Sequence, residues 1–231
     1  MKKVRNLSLL GITLFITPFL SAIANEMLVF VGEYVEVKDW PYSTDYLKGC
    51  NCIVMDSRFK AKYKVLKVLH GEYPKSSITF TVHDHYGFPE FAKQRSSIIY
   101  LVKSGDHYGH LKYAWNSVSP LKGGGFASCE DETGLDEEHH NKVKYYDFDP
   151  PIETDLRHAS EHEINEYKND PMYRVSKSKA ICVRGISAED LFEIKWPEVI
   201  EDYKLDEKEL LKDGNKSENI VLEKNPSIDL R

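Results

Sequence analysis

Residues 59–102, FKAKYKVLKVLHGEYPKSSITFTVHDHYGFPEFAKQRSSIIYLV, decide the fold class. Phe59, Ala61, Tyr63 and Val65 alternate with Lys60, Lys62 and Lys64, the period of a strand with one buried face. The alternation then slips by one residue, and Leu66 and Val68 become the apolar set, which predicts a bulge or bend that turns the buried face. His70-Gly71-Glu72-Tyr73-Pro74 supplies a turn. Ile78, Phe80 and Val82 then alternate with Thr79, Thr81 and His83. After Gly87 and Pro89, Ile98-Ile99-Tyr100-Leu101-Val102 is apolar on both faces and reads as a central strand.

The flanking sequence extends the same pattern. Residues 25–38 form a first strand, with Gly32 in its middle marking a bulge or a close backbone approach. Residues 39–56 read as a loop. Gly105 to Gly109 reads as a turn, followed by Leu111, Tyr113 and Trp115 in a fifth strand that ends before Gly123-Gly124-Gly125. Residues 130–141 read as an acidic excursion, and 153–168 as a surface helix with little apolar face. Residues 173–183 read as a short strand carrying Cys182. Ser187 is placed to cap a helix with Asp190 three residues on, whose Leu191, Phe192 and Ile194 pack on the barrel before Pro197 ends it. A further charged helix is expected over 205–211 and a loosely held tail over 215–231.

The expected fold is mainly β: a small Greek-key barrel of the OB type with five or six strands, a packed C-terminal helix and an irregular acidic extension. A β-sandwich is the rival. The chain divides into 1–24 as a signal peptide, 25–129 as barrel core, 130–179 as acidic insertion, and 180–231 as closing strand, helices and tail.

Lys2, Lys3 and Arg5 precede the apolar run Leu7–Leu20, and Ser21-Ala22-Ile23-Ala24 offers a small-residue cleavage site, the pattern of a secretory signal. An exported protein, periplasmic or secreted, is therefore expected, with no membrane span after cleavage. Loss of that segment takes the formal charge from −6 to −9. The charge is uneven: residues 25–129 carry 13 Lys/Arg against 10 Asp/Glu, and residues 130–231 carry 15 against 27. Such acidity argues against nucleic acid or anionic membranes as partners. Four cysteines in an exported chain imply disulfides. Cys50 and Cys52 are too close in sequence to favour bonding each other, so each is expected to reach Cys129 or Cys182.

The runs Phe30-Val31-Gly32-Glu33-Tyr34-Val35-Glu36-Val37, Tyr63 to Gly71 and Ile99-Tyr100-Leu101-Val102 resemble the netrin-type module. So do Cys182-Val183-Arg184 and Ala188-Glu189-Asp190-Leu191. That OB barrel is shared by tissue inhibitors of metalloproteinases and by uncharacterised exported bacterial proteins. The resemblance covers 28–103 and 180–195 and implies an exported, disulfide-tied binding barrel. The protease inhibitors place a zinc-chelating Cys-x-Cys at the mature amino terminus; here Cys50 and Cys52 lie in a loop, so that mechanism does not carry over.

Three functional readings follow. The first is a non-catalytic binding protein that recognises a protein or small ligand of the cell envelope through barrel loops. Tyr42, Tyr46, Tyr86, Tyr108 and Tyr113 are expected near strand ends, where exposed rings grip ligands. The second is a zinc or copper protein: His83 and His85 share a strand face at i, i+2, and His107 and His110 follow in the next hairpin. The third is a small secreted metal-dependent hydrolase built on His158-Ala159-Ser160-Glu161-His162. No Gly-x-Ser-x-Gly elbow or phosphate loop is present.

Overall fold

The structure is a computed structural model that describes residues 27–43, 54–129, 141–197, 199 and 201. Strands β1 (Met27–Asp39), β2 (Ser57–His70), β3 (Ser77–Asp84), β4 (Ser96–Ser104) and β5 (His107–Ser117) close a barrel in the order β1-β2-β3-β5-β4. All pairs are antiparallel except β3–β5, which meet in parallel at Thr81 and Gly109. This is the Greek-key order of the OB fold. Pairing of β1 with both β2 and β4 removes the open edges of the rival sandwich.

Two cores share the barrel wall. Inside lie Leu28, Phe30, Ala61, Tyr63, Phe80 and Leu101, among others. Outside β1 and β4 lie Met27, Val29, Val31, Ile98 and Tyr100, covered by Ala188 and Leu191. Every residue from Met27 to Gly32 and from Ser96 to Leu101 is therefore buried. An uninterrupted apolar run is what a strand buried on both faces requires.

The slip in β2 is a bulge. Val31 pairs with Lys67 and Gly32 with Val65, which leaves Leu66 without a partner. Leu66 is the bulged residue and points outward, 41% exposed. The interior is taken by Val65 and Val68 instead of by Leu66 and Val68. A second unpaired residue, Leu69, turns to the outer core. Gly32 sits opposite the first bulge because a Cβ there would stand 2.6 Å from Phe30 Cε2 and 3.0 Å from Tyr63 Cδ1. Gly71, at φ +78°, lets the β2–β3 turn pass the carbonyl of Met27.

Beyond the barrel, β6 (Ser119–Pro120), β7 (Phe126–Ser128), β8 (Lys144–Tyr145) and β12 (Arg184–Ser187) form a sheet in the order β6-β7-β12-β8. Strands β9 (Glu153–Asp155), β10 (Tyr173–Ser176) and β11 (Lys179–Cys182) form another, ordered β10-β11-β9. The expected single strand over 173–183 is thus a hairpin, turned at Lys177 with φ +54°. The helix expected over 153–168 is shorter: α1 spans Glu161–Asn169, capped by a reciprocal Ser160–Glu163 box, and has no fully buried residue. A disulfide joins Cys129 to Cys182 across 53 residues. The two cysteines meant to receive Cys50 and Cys52 are thereby bonded to each other, because β7 and β11 bring their Cα atoms to 6.2 Å. That overturns the expected pairing.

Ser187 caps the C-terminal helix, α2, accepting from the Asp190 amide at 3.1 Å and donating to its carboxylate at 2.7 Å. The helix begins at 188 and passes through Pro197, since 199 and 201 are also helical. A proline inside a helix costs about 3 kcal/mol. Here Leu191 and Val199 are buried, and Trp196 stacks on His70 at 4.5 Å, which offsets it. Among the described residues no helix is long and apolar enough to cross a membrane. The segment 1–24, Tyr46, Cys50, Cys52, the excursion at 130–140 and the helix expected over 205–211 lie outside the described residues.

Leu191 is the anchor of α2 on the outer core. Leu191→Ala should lower unfolding stability by about 2–4 kcal/mol, read in urea as a lower midpoint with an unchanged slope.

Candidate functional site

One end of the barrel is closed by aromatic side chains carried on irregular backbone. At the end of β3, Asp84 Oδ1 accepts the Tyr86 amide at 2.8 Å. This Asx turn sends the Tyr86 side chain out, 86% exposed. Phe88 and Pro89 lead into a single 3-10 turn, Glu90–Lys93, which delivers Phe91 into the barrel. The Phe91 ring lies 5.8 Å from Tyr63 and 6.3 Å from Phe80. Its carbonyl accepts from Tyr63 Oη and Ser97 Oγ, both at 3.4 Å.

Strand β5 contributes the other wall. Trp115 pairs with Ile99 and His110 with Leu101, so Leu111 to Ala114 bulge opposite the one residue Tyr100. Tyr113 takes φ +63° to make this bulge. His110 Nε2 lies 3.1 Å from the Ala114 carbonyl and closes it. With that acceptor, Nε2 carries the proton in the neutral ring. The bulge stands Tyr113, 50% exposed, beside Tyr86 with ring centres 5.8 Å apart. The expected inward alternation of Leu111, Tyr113 and Trp115 is replaced: Leu111 joins the outer core, Trp115 the inner, and Tyr113 faces solvent.

The result is a small pocket of about 80 Å³, open to solvent on one side. Phe91, His110 and Trp115 form its floor, and Tyr86, Phe88 and Tyr113 its rim. Asp84 and Glu90 are its charged members. The His110 ring lies 4.6 Å from Phe91. Burial pushes its pKa down to about 4, against a smaller opposing effect of the Ala114 bond. The ring is therefore neutral at pH 7. Beside the pocket, Lys112 Nζ bonds Asp56 at 2.7 Å and sits 5.3 Å from the Tyr113 ring centre. Burial works to lower the Lys112 pKa, but Asp56 and Tyr113 together outweigh it and hold it above its ordinary value.

The predicted metal set is not assembled. Strand β3 ends at Asp84, so His83 and His85 do not share a strand face. His83 stays beside Tyr42 at 6.2 Å, while His85 Nδ1 turns to Asp56 at 3.5 Å. His107 opens β5 opposite Ser104, and His110 is held in the bulge. Among the described residues no three His, Cys, Asp or Glu side chains are grouped to hold a metal ion. The His158–His162 motif is split by the helix cap: α1 starts at Glu161, so His158 is off the helix, and His162 pairs with Glu166 at 3.5 Å in solvent.

Of the tyrosines expected to cluster, Tyr86 and Tyr113 do meet. Tyr108 instead stacks on Tyr73 at 5.8 Å, and Tyr42 belongs to a separate group on the barrel's outer face. There the Arg58 guanidinium lies 3.6 Å from the Trp40 ring centre and 4.7 Å from that of Tyr42. The sequence reading missed Asp84, Phe88, Glu90, Phe91 and Trp115. For Phe88, Glu90 and Phe91 the signal was the Phe88-Pro89-Glu90-Phe91 run, aromatic residues inside a turn-rich link, where a loop would otherwise be polar.

The order and pairing of the strands define the chain as an OB-type barrel with one aromatic end. No family model, no curated protein and no solved structure matches the chain.

A neutral His110 has a pH consequence. Its folded pKa, about 4, lies below the unfolded value of about 6.5. The unfolded chain takes the proton first, so this contribution is complete above pH 6.5 and is lost as pH falls toward 4. The loss is on the order of 2–3 kcal/mol. His110→Phe should flatten the fall in stability between pH 7 and pH 4.5, measured by urea unfolding of both proteins.

Proposed function

We propose that this protein is an exported, disulfide-tied, non-catalytic binding protein that takes its ligand at the aromatic end of the barrel. The observation that carries the reading is the pairing of Tyr86 and Tyr113 above a floor of Phe91 and Trp115. Rim tyrosines bring large contact area with few rotatable bonds, so little entropy is lost on binding. The floor is preformed: Phe91 is fixed by its ring neighbours and carbonyl bonds, and His110 by Ala114. His110 is engaged in supporting the bulge, which suits a structural role better than proton transfer.

Export is supported by the basic and apolar pattern of 1–24 and by the Cys129–Cys182 disulfide, a bond that persists in oxidising compartments. The netrin-type resemblance of the sequence points the same way, since it implies an exported, disulfide-tied binding barrel.

The test is retention from a cell-envelope extract on immobilised protein, wild type against Tyr86→Ala/Tyr113→Ala, with folding of both checked by circular dichroism. A component held by the wild type and lost with the double variant is the expected result. Equal retention by both proteins, or turnover of the retained component, would contradict the reading.

A further inference from the structure

We propose that the pocket is selective for an organic cation, an ammonium group carrying apolar substituents; this deepens the preceding reading and rests on it. The charged groups of the lining are acidic. Asp84 and Glu90 line the pocket, and among the described residues no Lys or Arg does. His110, the one basic side chain in the lining among the described residues, is neutral at pH 7 because burial disfavours its charged form. Glu90 is paired with Lys93, but the Asp84 carboxylate has only the Tyr86 amide as partner among the described residues. An anion would be repelled here. A neutral apolar ligand would cover the Asp84 carboxylate and bring it no counter-charge.

The wall is aromatic. Tyr86, Tyr113 and Trp115 are the ring types whose faces attract a cation best, and the attraction grows when water is displaced. The molecule already shows this: Lys112 holds its ammonium 5.3 Å from the centre of the Tyr113 ring. That lysine is tied to Asp56 and is absent from the lining, so it does not fill the pocket. Methyl groups on a ligand nitrogen would meet Phe91 and Phe88, while its charge would meet the tyrosine faces and Asp84. A methylated ammonium satisfies both, and a bare ammonium, more tightly hydrated, satisfies only the second.

The probe is choline, compared with 3,3-dimethylbutan-1-ol, which has the same shape without the charge. Both are titrated at low salt into the full chain, with amide shifts read by nuclear magnetic resonance. Choline is expected to shift the amides around Tyr86 and Tyr113 and to bind about tenfold more tightly than the neutral alcohol. Asp84→Asn keeps the acceptor of the Asx turn and so preserves the loop; it and Tyr113→Ala should each weaken choline binding about fivefold or more. Equal affinity for the two probes would overturn the cation inference while leaving the pocket as a binding site. Choline binding that is undetectable at about 50 mM, or that survives both substitutions, would overturn it too. Neither outcome bears on the envelope-retention experiment, whose readout needs no choline.

Discussion

Residues 27–32 of β1 and 96–101 of β4 are buried on both faces, and the rest of the molecule is arranged to keep them so. Their inward residues, Leu28, Phe30, Ile99 and Leu101, fill the barrel. Their outward residues, Met27, Val29, Val31, Ile98 and Tyr100, need a second cover, and α2 supplies it. Each such side chain contributes about 1.5–3 kcal/mol when fully removed from water, so an uncovered outer face would cost more than a small domain can spare. The capping of α2 by Ser187, the bulge that turns Leu69 outward and the stacking of Trp196 on His70 all serve this one requirement.

A barrel fixed from both sides can carry irregular backbone at its end. The β5 bulge needs a positive φ at Tyr113, and the β3–β4 link needs an Asx turn. Neither is held by regular pairing; both lean on Phe91, whose ring is gripped by the inner core and whose carbonyl answers Tyr63 and Ser97. The Tyr63 hydroxyl, buried there, is held far above its ordinary pKa by desolvation, so it stays a donor across the usable pH range. The candidate site is in this sense an outgrowth of the core, with rigid aromatic neighbours below and mobile solvent above.

The barrel was legible in the sequence because period-2 alternation and two-faced apolar runs report burial directly. The Gly32 approach, the Ser187 cap and the central place of β4 followed from the same logic. What the alternation could not give is where each bulge falls. It assigned Leu66 to the interior because a slip has the same apolar pattern whichever residue is left unpaired. It put Tyr113 in an alternating strand because nothing in the residues 111–114 announces a four-against-one bulge. Strand β9, Glu153-Thr154-Asp155, has no apolar residue, and the Lys177-Ser178 turn lacks the usual hairpin pairs. The shared face expected for His83 and His85 requires the strand to continue through His85, and β3 stops one residue short.

The central claim is that the aromatic end is built on a core whose stability is that of the whole fold. Backbone hydrogen exchange of the full chain tests it most directly. Amides of Val29, Val31, Ile99 and Leu101 should exchange only through global unfolding, and those of Ala92 and Gln94, bonded to Pro89 and Phe91 carbonyls, should be protected well above the surrounding loop. Rapid exchange at Ala92 and Gln94, or protection of β1 and β4 no greater than that of β10 and β11, would show that the site has no such foundation.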